Sequence, residues 1–277
     1  ITLVLFSTVG WGCGWRGPHV TIARSRWAGE RFMRVLEVPP ALRRGGLRGD
    51  EQKYVHSGRK LIELLCRRLG VADLGRLRML DMGCGTKLVQ AFLAHDLPVG
   101  AYAGIDVYRE MIAAEVRDPR FSFHHMDTHN AMYNPGGLPL GPDTVLPVEP
   151  ASFDLICLFS VFTHLEPHDY VAMLRLLRPC IKPDGMLLFS LFVNEQTPGG
   201  HGLIDGVQRD LAAQQRAAQA ATPAPVPDFV DAGPGTLQWA LYSRKHALEL
   251  IEGTGWRVES LNDPEEFVQH YFVCRPA

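Results

Sequence analysis

Short apolar runs alternate with segments of helical periodicity along most of the chain. The runs that we predict to be strands are 77–80, 101–107, 121–126, 153–159 and 186–193. The periodic segments that we predict to be helices are 50–70, 88–93, 109–116 and 168–177. Strands that alternate with helices, joined by connections long enough for crossovers, predict an α/β fold with a parallel sheet.

The alternation changes after the fifth strand. Residues 194–241 combine a Gly-Gly turn, a helical pattern at 207–221 and a proline-rich stretch. We predict an insertion over the sheet, because this segment has too few large apolar residues for its own core. This segment could form either a lid over a substrate or a flexible surface loop. A helix at 243–252 and strands at 256–261 and 267–274 follow, and the short turn between these strands requires an antiparallel hairpin.

The pattern as a whole predicts a doubly wound, mostly parallel seven-stranded sheet with a C-terminal antiparallel hairpin, in a three-layer αβα sandwich. We assign residues 50–277 to this domain, with the lid-like insert at about 194–241. Residues 16–48 contain eight arginines and two acidic residues. We therefore expect residues 1–49 to form a basic, poorly ordered arm. The alternatives are that this segment binds an anionic partner or that it is an organelle-targeting leader.

The composition is that of an ordinary globular protein. The chain has 277 residues, 46% hydrophobic and 21% charged, with a net charge of −2. This balance gives no overall field that would attract nucleic acid or an anionic membrane. The six cysteines form no C-x-x-C pair, so neither a zinc site nor a disulfide framework is indicated. No apolar run reaches the roughly 18 residues of a membrane span, and we expect a cytoplasmic protein.

The most informative stretch is the glycine turn that follows the first strand, LDMGCGT at 80–86. Gly83 and Gly85 would let the backbone approach a ligand closely, and the next helix offers free N–H groups at its start. Asp106 ends the second strand, where a carboxylate accepts the ribose hydroxyls of a nucleotide. Asp127 follows the third strand, where it would accept from an adenine amino group.

Two cofactors share this geometry, NAD and S-adenosylmethionine. The dinucleotide fingerprint needs a third glycine three residues after Gly85, and this chain has Leu88 there. The motifs LDMGCGT (80–86), GIDV (104–107), FDLICLFSVFTHL (153–165) and LRPCIKPDGMLLFS (177–190), with the acid Asp127 and the C-terminal hairpin, resemble those of class I S-adenosylmethionine-dependent methyltransferases. The resemblance covers about residues 50–277, and the segment SVFTHL and the insert resemble methyltransferases of glycan and natural-product pathways.

The resemblance implies S-adenosylmethionine as cofactor and S-adenosylhomocysteine as product. Asp81 and the turn backbone would hold the methionine part, Asp106 the ribose, and the residues after the second and third strands the adenine. The tip of the fourth strand would line the methyl-donor pocket. The cofactor-binding residues implied in this way are Asp81, Gly83, Cys84, Gly85, Asp106, Val107, Asp127, Thr128, Phe159 and Ser160. Lys87 departs from the pattern, because a third small residue often stands there.

A hydroxyl acceptor would benefit from a general base, and His164, just past the fourth strand, is the leading candidate. A structural role at a helix start is the alternative for His164, and His270 and His129 are weaker candidates. We expect no metal, because Ser160 to Thr163 offer no carboxylate at the tip of the fourth strand.

The sequence thus predicts methyl transfer to a small-molecule or glycan acceptor, on oxygen. An RNA methyltransferase that uses the basic arm and a non-catalytic binding protein of the same fold are the alternatives. Nucleic acid is disfavoured, because Phe159-Ser160-Val161-Phe162 stands where base-modifying enzymes carry an N-P-P-Y-type tetrad.

Overall fold

The computed structural model describes residues 21–25, 33–43, 47, 49–112, 116–195, 227–231, 239–264 and 269–277. Its strands are β1 (Thr21–Ser25), β2 (Met33–Glu37), β3 (Leu74–Met82), β4 (Val99–Asp106), β5 (Phe121–His125), β6 (Phe153–Leu158), β7 (Ile181–Val193), β8 (Phe229–Asp231), β9 (Ala240–Tyr242), β10 (Trp256–Asn262) and β11 (His270–Pro276). Its helices are α1 (Glu51–Leu69), α2 (Lys87–Ala94), α3 (Pro167–Leu177) and α4 (Arg244–Glu249).

The main sheet has the strand order β10-β11-β7-β6-β3-β4-β5. The five strands from β7 to β5 are parallel, whereas β11 runs antiparallel to both β7 and β10. This confirms the predicted mostly parallel sheet with a C-terminal antiparallel hairpin. The chain runs outward from β3 in both directions, through β4 to β5 and through β6 to β7. The carboxyl ends of β3 and β6 therefore form a switch point, which is where open α/β sheets bind ligands.

Helices cover both faces of the sheet. One apolar cluster joins α1 and α2 to residues such as Met79 and Leu155, and the other joins α3 and α4 to their neighbours Leu80 and Ile156. Since successive strand residues point to opposite faces, the continuous apolar runs fill both clusters at once. The three-layer αβα arrangement is thereby confirmed.

Helix α1 is fixed at both ends and packs closely on α2. The Asp50 side chain accepts a hydrogen bond from the Lys53 N–H at its start, and Gly70 closes it in the left-handed conformation. A Cβ on Gly58 would lie 2.6 Å from the Lys87 carbonyl oxygen, so glycine is what permits this approach. Instead of reaching away from the protein, the Lys87 ammonium lies 5.1 Å from the centre of the Tyr54 ring, and burial lowers its pKa.

Part of the segment that we expected to be an N-terminal arm is described by the structure. Strands β1 and β2 pair antiparallel, and Leu36, Val38 and Leu42 are buried in the cluster that contains α1 and α2. The Leu36 carbonyl also accepts a hydrogen bond of 3.0 Å from the Gln90 side chain. Leu36, Val38 and Leu42 thus pack on the domain that we predicted to begin at residue 50. Residues 1–20, 26–32, 44–46 and 48 lie outside the described part.

Two short strands were not predicted within residues 194–241. β9 pairs in parallel with the end of β7, through Phe192 and Leu241, and β8 pairs antiparallel with β9. The predicted helix at 207–221 lies outside the described residues. The helix predicted at 109–116 is a single 3-10 turn at Arg109–Met111 in its described part. In the part of the chain that the structure describes, no helix has the length and apolarity to cross a membrane.

Candidate functional site

The glycine turn joins β3 to α2 at the switch point. Gly83 and Gly85 have φ of 71° and 47°, which glycine adopts without a Cβ penalty. The N–H groups of Gly83 and Cys84 donate to the Ile105 carbonyl at 2.7 and 3.0 Å, which ties the turn to the end of β4. A Cβ on Gly83 would overlap Val161 Cγ2. The turn therefore lies directly beside the segment that follows β6.

Asp106 holds the turn from the neighbouring strand. Its Oδ2 accepts the Gly85 N–H at 2.8 Å and its Oδ1 accepts the Tyr108 N–H at 2.8 Å. The side chain is nearly buried, with 8% of the residue exposed. A carboxylate oxygen can accept more than one hydrogen bond. This oriented carboxylate next to a positive-φ glycine turn fits a ribose diol.

Asp81 lies below the turn rather than at its surface. Its Oδ2 accepts the Tyr102 hydroxyl at 2.6 Å and its Oδ1 accepts the Cys157 thiol at 3.5 Å. Burial raises the pKa of Asp81 to about 7, against the two hydrogen bonds, and Asp106 adds a smaller repulsion. Asp81 thus sits in a buried network that supports the turn, and its predicted contact with the methionine part remains a prediction.

The other predicted cofactor residues lie at the same edge of the sheet. Cys84 is buried within the turn, and burial raises the pKa of its thiol well above the ordinary value. Val107 follows β4 and is half-buried. Asp127, after β5, is exposed and accepts a hydrogen bond of 3.0 Å from the Asn134 side chain, while Thr128 is buried. Phe159, at the tip of β6, is half-buried. The carboxyl ends of four adjacent strands thus bring the predicted set together.

Ser160 is exposed and has a φ of 60°, a strained value for a residue that is not glycine. Its N–H donates to Ser190 Oγ at 2.9 Å, and Ser190 Oγ donates to Gln269 Oε1 at 2.6 Å. The Gln269 amide also donates to Ser160 Oγ at 2.8 Å. The sequence analysis missed Ser190 and Gln269, because no local motif connects residues from β6, β7 and the start of β11.

His164, the candidate base, lies in a 3-10 turn at Phe162–His164 and is half-buried. The His164 N–H donates to the Val161 carbonyl at 2.9 Å. Val161 is the residue whose side chain packs on Gly83. The imidazole lies 5.7 Å from the Tyr133 ring and 6.3 Å from the Trp239 ring, centre to centre. His164 is thus near the glycine turn, in an aromatic environment.

The weaker histidine candidates are elsewhere. His270 is fully buried, with Nε2 2.9 Å from Glu195 Oε1 and 3.8 Å from Asp263 Oδ1. Burial lowers the pKa of His270, and the Arg244 guanidinium pairs with both Glu195 and Asp263. His129 Nδ1 lies 3.1 Å from the Pro135 carbonyl oxygen. Glu195, Asp263 and His270 are close enough to hold a metal ion, but Arg244 already supplies the positive charge between the two carboxylates.

Comparison with known proteins agrees with this geometry. A family model described as a methyltransferase domain matches residues 52–261. The pyocyanin biosynthetic protein PhzM has a TM-score of 0.51 at 15% identity, and the match covers 86% of this chain and 61% of that chain.

Two further solved structures match with lower scores. Magnesium protoporphyrin IX methyltransferase from Synechocystis PCC 6803, solved with bound SAH, has a TM-score of 0.49 at 13% identity, covering 84% of this chain and 89% of that one. A Pyrococcus horikoshii OT3 protein has a TM-score of 0.49 at 16% identity, covering 82% and 93%. The family model spans most of the chain, and the sequence motifs of the chain lie in the fold that such enzymes use. The chain belongs to the class I S-adenosylmethionine-dependent methyltransferases.

Proposed function

We propose that this methyltransferase acts on a hydroxyl oxygen of a small-molecule or glycan acceptor, with His164 as the general base. The observation that carries the proposal is the position of His164. Its backbone bonds to Val161, and the Val161 side chain packs on Gly83 of the glycine turn. An imidazole at this place can take a proton from an acceptor next to the donor site.

The donor side of the site is proposed to work through Asp106 and the glycine turn. The carboxylate of Asp106 accepts the ribose hydroxyls, while its bonds to Gly85 and Tyr108 fix its direction. Val107, Asp127 and Thr128 are proposed to surround the adenine, and Phe159 and Ser160 to lie beside the methyl group. Asp81 is proposed to act from below, by holding the turn.

S-Adenosylmethionine supplies a methyl group on a sulfonium, a leaving group that needs no further activation. The protein therefore contributes mainly alignment and the exclusion of water. In the transfer, the acceptor oxygen forms a bond to the methyl carbon as the carbon–sulfur bond breaks. His164 takes the hydroxyl proton, and the products are a methyl ether and S-adenosylhomocysteine. Removing the base should cost about 10²–10⁴ in rate.

The test is a reaction with methyl-labelled S-adenosylmethionine and fractionated small molecules and glycans, followed by mass spectrometry of the labelled product. We expect a methyl ether, and we expect His164→Gln to lower kcat while leaving the affinity for S-adenosylhomocysteine unchanged. His168→Gln serves as the matched control, because His168 is an exposed histidine nearby on α3. A methylated nitrogen, sulfur or carbon, or full activity of His164→Gln, would contradict the proposal.

A further inference from the structure

A row of aromatic rings crosses the carboxyl edge of the sheet beside the glycine turn. Tyr108 and Tyr133 have ring centres 6.1 Å apart, and Tyr133 meets His164 edge-on at 5.7 Å and 90°. His164 lies 6.3 Å from Trp239, and Trp239 lies 5.5 Å from Phe192. We call these five residues the ring row. Each member contacts the next, so the row is continuous from the end of β4 to the end of β7.

The ring row is built from segments that are far apart in the sequence. Tyr108 follows β4, Tyr133 belongs to the loop between β5 and β6, and His164 follows β6. Trp239 precedes β9, and Phe192 is in β7. The loops after β4, β5 and β6 share one edge, which places the first three rings side by side. The pairing of β9 with the end of β7 brings Trp239 beside Phe192.

The ring row is continuous with the proposed donor site at two points. At one end, the Tyr108 N–H donates to Asp106 Oδ1 at 2.8 Å. In the middle, the His164 N–H donates to the carbonyl of Val161, whose side chain lies against Gly83. A molecule lying on the ring row would therefore be next to the proposed donor site.

The exposure and orientation of the rings indicate what they contact. Tyr108, Tyr133, His164 and Trp239 are half-buried, while Phe192 is 2% exposed and supports Trp239 from below. Neighbouring rings are inclined by 34° to 90°, so the row offers both faces and edges. Offset stacking and edge-to-face contacts with a flat aromatic molecule use both.

A sugar would instead need polar side chains for its hydroxyls. Ser160, which follows β6, and Ser190 in β7 both bond to Gln269, so their hydroxyls are already engaged. The described part of this edge thus favours an apolar, flat acceptor over a polyhydroxylated one.

We propose that the ring row is the acceptor subsite and that it binds a flat aromatic molecule carrying a ring hydroxyl. This inference rests on the proposed function, and it narrows the acceptor to one chemical class. His164 meets the hydroxyl, and the Trp239 and Tyr133 rings hold the aromatic plane.

The test compares a flat aromatic alcohol with its saturated counterpart, 2-naphthol and trans-decahydro-2-naphthol. Both are titrated calorimetrically into the full chain with S-adenosylhomocysteine at saturation. We expect 2-naphthol to bind about tenfold more tightly, the size of an aromatic pairing effect. Trp239→Leu should abolish this preference. Phe123→Leu should leave it unchanged, because Phe123 is a half-buried ring on β5 outside the ring row.

Equal affinity for the two probes, no binding of either, or an unchanged preference in Trp239→Leu would overturn the inference. Displacement of 2-naphthol by methyl β-glucopyranoside would also overturn it, in favour of a glycan acceptor. Failure of S-adenosylhomocysteine to bind would count against the donor site and so against the proposed function. The preference between the two probes, measured without S-adenosylhomocysteine, would still test whether the ring row binds a flat aromatic molecule.

Discussion

Gly83→Ala tests the close packing of the glycine turn against the segment after β6. The new Cβ would meet two separate costs. A residue other than glycine at a φ of 71° is strained by about 1–2 kcal/mol. The Cβ would also lie less than 3.0 Å from Val161 Cγ2, an overlap that costs about 1–3 kcal/mol when the neighbour must move. We therefore expect a loss of about 2–5 kcal/mol in the free energy of unfolding.

Two further variants separate these costs in urea unfolding experiments. Gly70→Ala is the matched control, because Gly70 has a φ of 69° with nothing within 4 Å of its added Cβ. It should show only the strain of about 1–2 kcal/mol. In the background of Val161→Ala, Gly83→Ala should lose only that amount as well, since the overlapping methyl is gone. If Gly83→Ala costs no more than Gly70→Ala, or if Val161→Ala gives no relief, the packing described for the turn is wrong.

The remaining predictions concern stability. The pKa of Asp81 is raised to about 7 in the fold, so the folded chain holds an extra proton below that pH and loses stability as pH rises through it. The amide in Asp81→Asn cannot ionise, so the stability of this variant relative to the wild type should improve by about 2–3 kcal/mol from pH 5 to pH 8. Thermal-unfolding midpoints that change with pH in the same way in both proteins would refute this. Gly58→Ala would put a Cβ 2.6 Å from the Lys87 carbonyl, and a urea midpoint that does not fall would contradict the close α1–α2 contact. Ala151 has a φ of 47°, so Ala151→Gly should stabilise the protein by up to about 1 kcal/mol, and a loss of stability would show that no strain is stored there.

The fold could be predicted from the sequence because strand and helix signals agree along the domain. The strands buried on both faces appear as continuous apolar runs, such as residues 155–158 of β6, and the short connection before β11 leaves only an antiparallel pairing. The convergence of the glycine turn with Asp106 also follows from topology, since parallel neighbours end at one edge.

Other features depend on distant contacts that no local pattern encodes. The contacts of Asp81 with Tyr102 and Cys157 join three separate strands, so no local pattern predicts them. Gln269 bonds to Ser160 from 109 residues away. The sequence did not predict the packing of Leu36, because its apolar run is short and the segment around it is rich in arginine.

We propose that the glycine turn and Asp106 form the S-adenosylmethionine site. Calorimetric titration of the wild type with S-adenosylmethionine and with NAD tests it most directly, together with Asp106→Ala and Asp118→Ala. Asp118 is the matched control, because it is an aspartate with the same 8% exposure that also accepts a backbone N–H, from Arg120. We predict one site with micromolar affinity for S-adenosylmethionine and none for NAD. We also predict a loss of about 100-fold in Asp106→Ala, from two hydrogen bonds to a charged group, and little change in Asp118→Ala. No heat with S-adenosylmethionine, or equal affinity in Asp106→Ala and the wild type, would contradict it.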